Sequence, residues 1–375
     1  MGDITMFEKE KRLIILASRI FDREAQKETI VELVKDKTIK WDVVVKYLCR
    51  TKVMGLFWDS IKMLKVDIFI PNNIARILDF FYLGNSERNK ILLEEYALLS
   101  QLIFEAGIRT APLKGIALLN KVYTDIGARQ LNDIDLLVSY RDKEALNELL
   151  INRGFQHGHI GRDENGNIEI KKFDRVEEII WKTKMNNLAP FYKITGNKWC
   201  NILDIDCSFA LDYRLIYQDV TNIIDNRLLQ KECGYELKIE DFFIQICCHL
   251  YKEASNASWI ILGNELNIIK FCDVREVFYR YVTDEVWKNI VELSIEYGYN
   301  KAVYFCLYYI EVIYDETVKY NFKSDLKIVD EKFLYEFGKR EYGEAKVWKS
   351  KFMDRLFEGS FDEIDLEKGN FQLIY

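Results

Sequence analysis

The sequence predicts an α+β protein in which a small mixed β-sheet core is flanked by N-terminal helices and a C-terminal helical bundle. Three observations predict it. Apolar residues recur at helical spacing through residues 9–64 and 74–106. Two short runs, 133–138 and 201–209, alternate acidic and apolar residues with a period of two. From Glu240 onward the chain returns to long apolar helical stretches. At 375 residues the chain is long for a single core, so two or three packed units are expected. The breaks divide it into a helical region at 1–95, a sheet core at 96–230 and a bundle at 231–375.

Taken in order, residues 9–35, 41–48 and 53–64 read as amphipathic helices forming a scaffold layer. Pro71 and Asn72-Asn73 punctuate before a long helix over 74–106, in which Ile77, Phe80, Phe81, Leu92, Leu93, Tyr96 and Leu99 are expected to face neighbours and Asn85-Ser86 to kink the axis. Gly107 ends that helix. Residues 108–114 then form a short extended run, with Pro112 suited to a strand edge because it has no N–H for a ladder. Ile116, Ala117, Leu118, Leu119, Val122 and Tyr123 follow at helical spacing, so a helix begins at or just after Gly115. The unpaired N–H groups of such a helix start bind anions. Gly115 lets a triphosphate approach the backbone, and Lys114 adds positive charge at the same mouth.

In Asp133-Ile-Asp-Leu-Leu-Val138 the strand period puts Asp133 and Asp135 on one face and Ile134, Leu136 and Val138 on the other. Two carboxylates that close repel unless a cation lies between them, and Mg²⁺ held by carboxylates and substrate phosphates is the usual one. A lone pair of this kind is more often a turn cap and a solvated acid. Here it follows a phosphate-type turn.

A helix opening at Arg141-Asp-Lys-Glu closes at Arg153-Gly154, giving a strand–helix–strand–helix order for a mixed sheet. The polar loop 157–166, the alternating Ile168-Glu-Ile170 and the run Glu178-Ile-Ile-Trp181 fit a hairpin. His157 and His159 have ligand-like spacing but no third ligand nearby, so a structural role is preferred. In the run at 201–209, Asp204 and Asp206 share one strand face opposite Leu203, Ile205 and Cys207. Residues 241–250, 266–281, 285–297 and 301–314 then read as helices, and the tail from Asp325 as two more with an acidic end. His249 lies in the first of these helices and reads as a buried structural histidine, and Asp273 reads equally as a surface charge or a pocket wall.

The order of Leu113-Lys-Gly115, helix, Tyr123, Arg129, Asp133-Ile-Asp-Leu-Leu-Val138, helix and Arg153-Gly-Phe155 resembles the uncharacterised bacterial nucleotidyltransferase family of the DNA polymerase β-like superfamily. The match is densest over 113–155, weaker from Trp41 to the strand near Asp204, and loose in the C-terminal helices. The resemblance implies that the glycine turn holds an NTP, that Asp133 and Asp135 hold Mg²⁺, and that a third carboxylate completes the site. Asp204 matches the family's acid as third metal ligand or general base, and Asp206 stands where the family has a histidine and is the close second. The superfamily turn usually reads Gly-Ser or Gly-Gly where this chain has Lys114-Gly115. Arg129 would either stabilise charge on the phosphates or pair with the acids.

The implied activity is Mg²⁺-dependent transfer of a nucleoside monophosphate from an NTP, ATP favoured, to an acceptor hydroxyl of a small molecule, peptide or protein. The alternative is a catalytically degenerate protein of the same fold that binds nucleotide or a partner; retention of all three acid positions argues against it. A metal hydrolase is weaker still, since three histidines and no clustered ligands leave few ligand sets.

Composition narrows the rest. A net charge of −7 argues against a general nucleic-acid binder. Eight cysteines without a CxxC pair or zinc spacing read as reduced core residues. Charges through residues 1–20 exclude a signal peptide, and the most apolar helix, 302–310, is too short to span a bilayer, so a cytoplasmic protein without a membrane anchor is expected.

Overall fold

The computed structural model describes residues 7–184, 187–195, 199–207, 209 and 220–368. The first six residues and the last seven of the acidic tail lie outside these. The chain opens with four helices, α1 (Glu8–Ala17), α2 (Lys27–Lys35), α3 (Trp41–Arg50) and α4 (Met54–Met63), and then the long α5 (Asn72–Glu105). The sheet region follows as β1 (Thr110–Pro112), α6 (Lys114–Lys121), β2 (Ile134–Val138), α7 (Lys143–Asn152), β3 (Gln156–His157), β4 (His159–Arg162), β5 (Ile168–Lys171), α8 (Arg175–Lys184), β6 (Phe191–Thr195) and β7 (Trp199–Asp206). Next come α9 (Thr221–Asn226), β8 (Leu228–Lys231), β9 (Gly234–Leu237), α10 (Ile239–Ser255), α11 (Ala257–Ile261), α12 (Ile268–Tyr281), α13 (Asp284–Glu296) and α14 (Asn300–Tyr314). The tail holds α15 (Phe322–Asp325), β10 (Glu336–Phe337), α16 (Lys339–Tyr342), β11 (Lys346–Val347) and α17 (Phe352–Glu358).

The residues pack as two units. Among the described residues, one is drawn from 88–120 and 131–245, the other from 7–87, 121–130 and 246–368. In the first, five strands form a mixed sheet in the order β1-β2-β7-β6-β3. β2 and β7 run parallel, with Asp135 beside Asp204 and Leu137 beside Asp206, and the other neighbours are antiparallel. Pro112 sits in the terminal strand β1, where its missing N–H costs no ladder bond. The apolar face of β2 and β7 carries Ile134, Leu136, Leu203 and Ile205, all buried, with Leu146 and Leu150 of α7 and Phe155 and Phe191 in the same core.

The second unit is helical. α14 is buried along most of its length, from Ala302 and Val303 to Ile313 and Tyr314, which explains why it reads as apolar all round. α13 starts at a Thr283 cap whose side chain accepts from the Val286 N–H. A Cβ on Gly55 of α4 would stand 2.5 Å from the Gly127 carbonyl, so only glycine lets the helix approach the segment at 121–130 this closely.

Several expectations are corrected. Glu178-Ile-Ile-Trp181 lies within helix α8, not in a strand, and the hairpin is β4 with β5. α5 spans Asn72–Glu105, so the long helix begins two residues before the expected start. Ile77 and Phe80 on it are 46% and 77% exposed, so they do not face neighbours. The cysteines are free thiols as read, but Cys49 and Cys233 are exposed. Past Asp325 the described residues hold the two helices expected, α16 and α17, and a two-stranded ribbon, β10 with β11, that was not expected. No described helix is long and apolar enough to cross a membrane.

Candidate active site

The site is built on β2 and β7. Their parallel register sets Asp135 directly beside Asp204, roughly the 4.8 Å strand spacing away, and the period of two brings Asp133 onto the same face one step before β2 begins. Carboxylate oxygens of Asp133, Asp135 and Asp204 all lie within 4.8 Å of one another. The Leu113 N–H donates to the Asp135 carbonyl at 2.9 Å, which ties the chain just before α6 to the acid-bearing strand.

The electrostatics follow from this crowding. Asp135 is 3% exposed, and burial first, then the charges of Asp133 and Asp206, push its carboxyl up to about 7 despite the opposing Lys114 ammonium. Asp204 is driven well above the usual carboxylate range by burial and by Asp133 and Asp135. Lys114 answers part of this charge, donating from Nζ to Asp135 Oδ1 at 2.6 Å and standing 3.3 Å from Asp206 Oδ2. Its backbone is left-handed, with φ 45°, a strained setting for a lysine at the turn between β1 and α6. α6 begins at Lys114, one residue before the expected start, and Gly115 is buried in its first turn.

Asp206, on the same face as Asp204, has other partners. Asn187 donates from Nδ2 to Asp206 Oδ1 at 2.6 Å and accepts the Cys207 N–H at 3.2 Å. Asp206 is thereby held by Asn187 and Lys114, whereas Asp204 joins the cluster of three. No local sequence pattern marks Asn187, because its partners lie 19 and 20 residues further on.

Arg129 is placed in the helical unit. Its Nε and Nη2 donate to both oxygens of Asp273, at 2.7 Å for the shortest, and the Tyr123 hydroxyl donates to the same carboxylate at 2.6 Å. Asp273 is 3% exposed, so it is a buried ion-pair partner, not a surface charge. His157 lies between the Pro190 carbonyl and Asn147, and His159 pairs with Glu177, which gives both a structural occupation. His249 stands 3.3 Å from Glu253 one turn along α10.

A set of clustered carboxylates, two of them raised by burial and by the neighbouring acids, suits a hard divalent cation, which would let the acids stay ionised. Beside it stands Lys114, at the start of α6, with its ammonium 2.6 Å from Asp135 Oδ1. The family model described as "Uncharacterised nucleotidyltransferase" matches residues 37–315. No match was found among curated proteins or among solved structures.

Proposed function

The chain belongs to the uncharacterised nucleotidyltransferase family, and from that premise we propose Mg²⁺-dependent transfer of a nucleoside monophosphate from an NTP, ATP by preference, on a DNA polymerase β-like core. The acceptor is a hydroxyl of a small molecule, peptide or protein, and pyrophosphate leaves. The catalytic work falls to the sheet-bearing stretch, residues 96–230. The observation that carries this reading is the meeting of Asp133, Asp135 and Asp204 from two separate strands beside the turn at Lys114-Gly115.

When bound, Mg²⁺ would neutralise charge on the triphosphate and on the departing pyrophosphate. Asp133 and Asp135 supply the oxygens that hold it. Asp204 completes that set or takes the proton of the acceptor hydroxyl as the hydroxyl oxygen bonds to the α-phosphorus and the bond to the bridging oxygen of pyrophosphate breaks. Lys114 turns from Asp135 toward the β- and γ-phosphates, because the acids it now neutralises would have the cation instead. Gly115 leaves the backbone N–H groups of the first turn open to the same phosphates. The Arg129 guanidinium holds buried Asp273.

The test is incubation of the protein with each of the four NTPs, radiolabelled at the α-phosphate, with Mg²⁺ and a fractionated cell extract. Label should move to an acceptor with wild type and not with Asp133→Asn. Mg²⁺-dependent binding with no transfer in any fraction would favour the binding-only alternative, and absence of NTP binding would sink both.

A further inference from the structure

A cavity of about 920 Å³ opens in the sheet-bearing unit between α7, α8, the end of β5 and the segment 187–189. It lies within the range of small-molecule sites, which run from about 300 to about 1,000 Å³. It is not the acid cluster. His157 lines it and pairs with Phe191, which pairs in turn with Leu203, so this wall belongs to the apolar face of the sheet. Asp204 and Asp206 point from the other face.

Three features give the cavity its chemistry. Lys143 in its wall is 7% exposed, and its ammonium has a 3.4 Å contact to the Asn187 carbonyl and a position 5.3 Å from the Tyr140 ring. Among the described residues no carboxylate pairs with it. A cation taken that far out of water is unfavourable unless an anion accompanies it. Lys172 and Lys182 also line the cavity and are exposed, as are its two carboxylates, Glu144 and Glu178, so the buried charge is positive. Phe173 and Trp181, both in the lining, form a stacked pair with centroids 6.4 Å apart and planes at 23°, an aromatic wall for a ring.

We propose that this cavity is a second ligand site, distinct from the acid cluster, for a small planar aromatic anion whose charged group meets Lys143 and whose ring lies against Phe173 and Trp181. The inference does not rest on the transferase reading. Asn187 borders both places, its carbonyl facing Lys143 and its amide holding Asp206.

Calorimetry on the full chain with 2-naphthoate and the uncharged 2-naphthamide tests it. Naphthoate should bind at least about 10-fold tighter than the amide, and Lys143→Met should remove that difference. Asp135→Asn should leave naphthoate affinity unchanged. Equal binding of the two compounds, no binding of naphthoate, or loss of binding in Asp135→Asn would overturn the proposal. Should Lys143→Met fail to fold, the double variant Trp181→Leu/Lys182→Met, altered at the outer wall, carries the test: weaker naphthoate binding supports the site, and unchanged binding overturns it.

Discussion

The Lys114 ammonium lies 2.6 Å from Asp135 Oδ1, so the buried acid of the cluster already has a cation at its side. It is a single charge against several acids, and Asp135 still stands at about 7, above its ordinary 3.8. A native group that holds its proton more tightly than in the unfolded chain makes stability fall as pH rises between those two values. Asp204 acts in the same direction. In EDTA, the Tm of wild type relative to Asp135→Asn should therefore decline from about pH 4 to about pH 7. At pH 8 Asp135→Asn should be the more stable protein. Added Mg²⁺ should raise the wild-type Tm at pH 8 and not that of the variant, whose turnover should fall by about 10³-fold or more. A variant with near-normal turnover would remove Asp135 from the site.

Gly115→Val places a branched side chain in the buried first turn of α6. The KM for NTP should rise by about 10-fold or more, because the side chain fills the approach to the helix N–H groups. Unchanged nucleotide affinity would move the phosphate site elsewhere.

Asp204 and Asp206 differ in company more than in position. Asp204→Asn should lower turnover by about 10²-fold or more, with Mg·NTP affinity affected less than by changing Asp133 or Asp135. Asp206→Asn should be mild, and Asn187→Ala should resemble it, since Asn187 fixes only Asp206 of the two. Pre-steady-state turnover of the three variants checks this. A larger loss at Asp206 would exchange the roles.

Arg129→Ala leaves Asp273 buried with the Tyr123 hydroxyl but without its guanidinium. Breaking a buried pair from one side costs about 3–5 kcal/mol, which a urea titration of the variant would read directly. A loss under about 1 kcal/mol would show that the pair contributes no more than a surface one.

The period-two runs made β2 and β7 legible in the sequence, and with them the common face of each acid pair. Which acid of β7 joins the cluster was not legible, because it depends on a parallel register and on Asn187, a residue outside both runs. Glu178-Ile-Ile-Trp181 shows a different failure. A short apolar run fits strand or buried helix equally. The deciding signal was four residues upstream, where Asp174 Oδ1 accepts the Val176 and Glu177 N–H groups and Glu177 accepts the Asp174 N–H, a capping box. Ile77 and Phe80 were misplaced because helical spacing marks a stripe without saying whether anything covers it.

The parallel pairing of β2 with β7 also orders events in time. Residues 139–203 must all be synthesised before Asp204, the third carboxylate, can take its place beside Asp135. Non-local pairings of this kind form late, after the loop-closure entropy has been met. A nascent chain that ends after Val138 carries two acids and the glycine turn but no competent cluster. The three-carboxylate cluster thus exists only in the finished sheet, and a chain cut short of β7 lacks it.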